Sequence, residues 1–286
     1  MRDSKYPLSE IYSQGEVMKY YLQDMSWVEV QETLKRTDTV IVPIGNLEQH
    51  GPQSPVGCCL FLAIETSRHI GERTGVPVTP TIPVGISNPY KNFPGSLNVS
   101  SETFKNLMKE FSEAIIHHGF KRIIFFSAHG GGNLPMLARV AEELREETGV
   151  LCAVIHLWGL LGQLSPELRT APGVTGGHGA DPVTSVILHL KPELTDMTKA
   201  KWVPLKAPLK GMIPVAHNTQ RFKGVNITIP LFGEEVSEIG VYGDPTKASA
   251  ERGEKMFNNM LDYLEEFVKN FEGLELPTVP TDTFKK

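Results

Sequence analysis

The stretch Arg122-Ile-Ile-Phe-Phe-Ser127 constrains this chain more than any other. Four consecutive apolar residues put two on each face of a strand, so both faces must be covered, as in a parallel sheet flanked by helices. The residues after it agree. His129 and three glycines form a loop, Asn133 to Thr148 has helical spacing closed by Gly149, and Val150-Leu-Cys-Ala-Val-Ile155 is a further apolar strand. Strand, loop, helix and strand make a β-α-β unit.

The pattern also occurs earlier. Thr39-Val-Ile-Val-Pro-Ile44 reads as a buried strand, Leu60 to Arg73 as a helix, and Val76-Pro-Val-Thr-Pro80 as a Pro-bounded strand. Ser100 or Ser101 caps a helix toward His118 that presents Phe104, Leu107, Met108, Phe111 and Ile115 on one face. Asp181 to Leu190 is a short helix whose Asp-Pro start suits a cap, Lys199 to Gly243 reads as loops and small strands, and Thr246 to Asn270 as a long amphipathic helix. These elements predict an α/β fold, a three-layer α/β sandwich around a mainly parallel sheet. Residues 1–286 are expected to form a single domain, with roughly the first 25 residues and the tail from about 273 peripheral.

Composition narrows the function. A net charge of -5 and a pI near 6.0 offer no attraction for nucleic acid or anionic lipid, which leaves a small molecule as the expected partner. The N-terminal segment lacks an apolar core of signal-peptide length, and no run is long enough to span a bilayer. Three cysteines, Cys58 and Cys59 adjacent, make no disulfide framework and fit a reducing compartment, so cytoplasmic residence is expected.

In such sheets, functional groups gather in loops beyond the carboxyl ends of strands. Glu48 and His50, two apart in an extended segment, point to one side and can share one ion, although a bare Glu-x-His also describes a surface pair. In the His129 loop the glycines allow close backbone approach, which makes Gly130, Gly131 and Asn133 candidate substrate contacts. The Gly-x-x-x-x-Gly-Lys pattern of a phosphate loop is missing, and His129 at the loop mouth fits a metal better. His178 and Asp181 stand three apart, with Asp181 either a helix cap or a ligand. Trp158, just past a strand end, is a candidate wall of the substrate site; Trp27 and Trp202 are read as core or pocket walls.

In order and wording these motifs resemble the creatininase family over most of the chain. The matching stretches are Glu-x-His-Gly-Pro at Glu48 to Pro52, His129 to Asn133, the His178 segment ending Thr184-Ser185, and Gly240-Val-Tyr-Gly-Asp-Pro-Thr246. The resemblance implies a three-layer fold, a metal-dependent hydrolase, ligands at Glu48, His50 and His129, and a proton-transferring His178. Asp181 joins them as a fourth ligand or a second proton carrier.

The departures matter as much. Cys59 stands where the family has a bridging Asp, Gly131 where creatinine amidohydrolases have a ligand Glu, and Val183 where the family has Glu before Thr-Ser. Two close cations repel and need such anions, so one ion per subunit is expected, Zn2+ ahead of Mn2+ or Fe2+ for mixed N and O ligands. Cys59, bordering the substrate, is read as a packed apolar side chain rather than a thiolate ligand.

The implied reaction is hydrolytic opening of a small cyclic carbonyl substrate. The lost ligands argue against creatinine and favour C-C cleavage of an oxidised inositol of the 3-dehydro-scyllo-inosose type, in inositol catabolism. A creatinine-like cyclic amide, cleaved at C-N, is one alternative, and a catalytically silent ligand- or partner-binding member is another. The resemblance also implies a homo-oligomer, a hexamer as in relatives.

Overall fold

The computed structural model describes residues 19–168 and 177–278. Thr175 and Gly176, beside His178, and most of the two expected peripheral ends lie outside the described residues. In chain order the elements are α1 (Trp27–Arg36), β1 (Thr39–Ile44), α2 (Cys58–Thr74), α3 (Ser101–His117), β2 (Arg122–Ser127), α4 (Asn133–Thr148), β3 (Leu151–His156), α5 (Leu157–Leu164), α6 (Val183–Leu190), β4 (Ile213–Ala216), β5 (Thr219–Phe222), β6 (Val225–Thr228), α7 (Gly233–Val236) and α8 (Ala250–Gly273).

Strands β1, β2 and β3 pair in that order, all parallel and level, so that Ile44, Ser127 and His156 end side by side. Alternation along the strands then sorts side chains into two cores. Val40, Val42, Ile44, Ile123 and Phe125 pack with α3 and α4, through Phe104, Met108, Leu137 and Val140. Ile41, Ile124 and Phe126 pack on the opposite face with α2, α5, α6 and α8. These strand residues are completely buried, each contributing about 1.5–3 kcal/mol by leaving water. The three-layer α/β sandwich is thereby built.

Three details differ from the sequence expectation. The segment 76–80 runs parallel to β1 but pairs only through isolated bridges, Ile41 with Val78 and, just beyond, Ile44 with Ile82. Pro77, Pro80 and Pro83 have no N–H to donate, so the ladder closes only between them. Tyr20 and Tyr21, expected at the periphery, are built into the α2 side of the core; Tyr21 bridges Val78 and the Tyr20 ring lies over Gly71, covering the flank that this broken strand leaves open. Trp27 and Trp202 are 77% and 60% exposed. Trp27 opens α1, an amphipathic helix that buries only Thr33.

Strands β4, β5 and β6 form a separate antiparallel sheet, whose β4–β5 turn carries His217.

Candidate metal centre

The level strand ends decide what can meet. Past β1 the chain runs through Glu48 and His50, past β2 it reaches His129, and β3 ends on His156 with Trp158 in the first turn of α5. The first turn of α2 adds Cys59, and the loop before α6 adds His178. Glu48, His50, Cys59 and His129 are all buried.

Glu48 is the hub. Its Oε1 lies 3.1 Å from His129 Nδ1, 3.6 Å from His178 Nδ1 and 3.7 Å from His50 Nε2. Two donor groups share it, Glu48 with His50 and His178, and Glu48 with Cys59 and His129, each with ligand atoms within 4.8 Å of one another. Donor atoms around a four-coordinate zinc stand roughly 3.3–3.6 Å apart, so this spacing fits a divalent ion. The chemistry fits too, since each imidazole is anchored by its other nitrogen. His50 Nδ1 lies 3.0 Å from the Glu48 carbonyl, His129 Nε2 2.9 Å from the Ile86 carbonyl, and His178 Nε2 2.6 Å from the Gln49 carbonyl. A carbonyl only accepts, so in the neutral form each imidazole keeps its proton on that nitrogen and turns its lone pair toward Glu48, with the Gln49 side-chain amide also 3.0 Å from His178 Nε2. The second Glu48 oxygen accepts from the Ser87 hydroxyl, which accepts in turn from Asn46.

Burial alone would raise the Glu48 carboxyl, but the charge and hydrogen bond of His129 outweigh it and hold the group well below the usual carboxylate range. Burial likewise opposes a cation at His129 and His50, yet Glu48 raises the former and the thiols of Cys58 and Cys59 raise the latter. Cys59 is lowered, the His50 charge overcoming burial. His178 goes the other way, pushed down to about 3 by burial and then by His50. Protons on His50 and His129 thus balance the anionic donors, and an incoming dication takes their place.

The structure also sorts the sequence candidates. Glu48, His50, Cys59, His129, Gly130, Gly131, Trp158 and His178 line one cavity of about 250 Å³. A Cβ at Gly131 would come within 2.7 Å of His129 Nε2, so in this chain a side chain there would require the His129 ring to shift. Asn133 is fully buried and serves as a strut: its Oδ1 accepts from the Ile86 N–H at 2.8 Å, fixing the carbonyl that anchors His129. Asp181 joins neither donor group and caps no helix, since α6 starts at Val183 behind Pro182. Its carboxylate accepts from Ser185 and lies 3.4 Å from Arg252, tying α6 to α8. Cys59 packs in the core on the α2 side as expected, and its Sγ also faces His50 Nε2 at 3.7 Å.

Four lining residues with polar side chains escaped sequence reasoning: His156, Tyr90, His217 and Tyr242. His156 could have been found from its place at a strand end. Tyr90, His217 and Tyr242 carry no such signal, although Tyr242 lies in the late Gly-Val-Tyr-Gly motif and donates its N–H to the His178 carbonyl at 2.9 Å. Tyr90 stacks on His178 at 4.1 Å between centroids, and its hydroxyl lies 3.2 Å from His217 Nδ1. Beyond this wall, and sharing Glu48, Tyr90, His129, Gly131 and His217, opens a second chamber of about 460 Å³.

Fold and site together define a metal-dependent hydrolase of the three-layer α/β kind. The chain belongs to the creatininase family: a family model described as "Creatininase: Creatinine amidohydrolase" matches residues 23–268. Among its relatives is a mycofactocin precursor peptide peptidase of Mycolicibacterium smegmatis, 29% identical over 244 residues and covering 82% of this chain and 85% of the relative. A 3-dehydro-scyllo-inosose hydrolase of Thermotoga maritima is 27% identical over 262 residues, covering 87% and 83%. The crystal structure of a creatinine amidohydrolase superposes with a TM-score of 0.71 at 19% identity, over 91% of this chain and all of the other. No described helix is long and apolar enough to cross a membrane.

Proposed function

We propose that the chain binds one divalent ion, zinc, through Glu48, His50 and His129, and hydrolyses a small, uncharged, hydroxylated cyclic carbonyl compound of the oxidised-inositol type. The observation that supports this is the wall of the inner cavity. Tyr90, His217 and Tyr242 bring hydrogen-bonding groups toward the donors, and no lysine or arginine is among the described lining residues. Burial pushes the Tyr90 phenol well up and Tyr242 to about 12, so both stay protonated and can donate to substrate oxygens. The buried Tyr242 hydroxyl makes no well-formed hydrogen bond beside Tyr90, and a substrate hydroxyl would satisfy it.

When bound, the ion supplies a lowered pKa for water and a polarised substrate carbonyl. His178, neutral and held by its Nε2, has the Nδ1 lone pair to accept the water's proton and return it to the departing carbon. Trp158 and the glycines Gly130 and Gly131 line the cavity and shape its floor. Asp181 is given a structural role, and the silent-member alternative is set aside because donors for an ion are assembled and anchored. Cytoplasmic residence and a homo-oligomeric, hexameric state belong to the same reading; light scattering tests the latter.

Incubating zinc-loaded protein with cyclic diketones, cyclic amides and short peptides, and reading addition of water by mass spectrometry, tests the substrate class. Hydrated, opened diketone is the expected product; turnover of amides alone would sink the C-C reading. A peptide substrate is the second reading, favoured by the 460 Å³ chamber continuing past Tyr90, and turnover confined to peptides would establish it instead.

A further inference from the structure

Cys59 is a donor of this site that the proposed reaction leaves unused. Its Sγ is grouped with Glu48 and His129, lies 3.7 Å from His50 Nε2, and accepts from the Trp158 indole N–H at 3.4 Å. The neighbouring cysteine is placed differently. Cys58 also lies near His50, but its thiol donates to the Pro55 carbonyl at 3.0 Å, packs with Val183 and Ile187 and stands in neither donor group. We propose that Cys59 is a thiolate ligand of the metal ion and that Trp158 is a positioning residue, holding the sulfur through its indole N–H. The inference deepens the proposed metal-dependent function and rests on it.

Charge favours it. A Glu48 carboxylate and a Cys59 thiolate together neutralise one divalent ion among neutral imidazoles, whereas the carboxylate alone leaves a buried positive charge, which is costly. Position favours it as well. Cys59 lies in the first turn of α2, a 17-residue helix with no acidic residue in that turn, where the helix dipole stabilises an anion. The indole N–H donates to a sulfur lone pair and fixes its direction, the kind of outer support that metal ligands elsewhere receive from carbonyls. A soft sulfur donor also selects zinc over Mn2+, which prefers oxygen.

Cobalt(II) substitutes for zinc in such sites and reports sulfur ligation as near-ultraviolet charge-transfer absorption. Protein stripped by chelator and reloaded with Co2+ should take up one ion per chain and show that band. Cys59→Ser and Cys59→Ala should lose it, and Cys58→Ala should keep it. Trp158→Phe should keep the band but shift it, and should release cobalt to a competing chelator about tenfold faster or more. An unmoved band in Trp158→Phe removes Trp158 from its assigned role. Stoichiometric cobalt without the band, or a band that survives Cys59→Ala, overturns Cys59 as ligand while the metal reading stands; failure to bind cobalt at all overturns both. Should the Cys59 variants not fold, Cd2+ loading of the unaltered protein decides, because one bound cadmium without ultraviolet sulfur-to-cadmium absorption is equally fatal.

Discussion

Ser87 does for Glu48 what the backbone carbonyls do for the histidines: its hydroxyl donates to the carboxylate while accepting from Asn46. Ser87→Ala should therefore weaken metal binding about 10–100-fold with the fold intact, measured by competition with a chromophoric chelator. Unchanged affinity would show that Glu48 stands without that support. His50→Ala and His129→Ala should each lose most of the bound metal, since each removes a nitrogen no neighbour can supply, and full stoichiometry after dialysis against a mild chelator would contradict the assignment. Side-chain types were legible where chemistry is written in short spacing, as in Glu48-x-His50, because alternation alone aims both residues the same way. Targets were not legible. Asn133 and Asp181 sit inside motifs that name a polar side chain but not its partner, and here the partners are the Ile86 amide and the Ser185–Arg252 pair, 47 and up to 71 residues away in sequence.

At the scale of elements, the α6–α8 contact holds the approach to His178. Gly253 allows it, because a side chain there would overlap the Ser185 carbonyl. Around it, Ser185 donates to Asp181 and accepts the Ser249 N–H at 2.9 Å, while Ser249 caps α8. Asp181→Asn should cost about 1–3 kcal/mol of stability yet leave metal content unchanged. Thermal unfolding and elemental analysis read the two separately, and loss of metal with stability unchanged would make Asp181 a ligand after all. Helices and parallel strands were legible because burial on both faces and helical periodicity leave strong patterns. The segment 76–80 was legible as extended chain but not as a broken ladder, since which N–H groups face β1 depends on register that only the packed sheet fixes.

For the molecule as a whole, acid is the informative stress. Burial, then the His129 charge, pushes His156 down from 6.5 to about 4. Its unfolded form binds a proton that the folded form refuses, so the stability it contributes is full above pH 6.5 and lost as pH falls toward 4. In metal-free protein, His156→Asn should flatten the fall of melting temperature across that window; an unchanged slope would place the acid sensitivity elsewhere. Docking of α8 against α2, α5 and α6 has a further consequence, one of timing. On a growing chain Glu48, His50, Cys59 and His129 emerge before His178, and His178 before α8. The helices bearing Cys59 and Trp158 are clamped only when α8 docks, so a nascent chain that has not yet made α8 holds its donors loosely and secure capture of the ion waits for that helix.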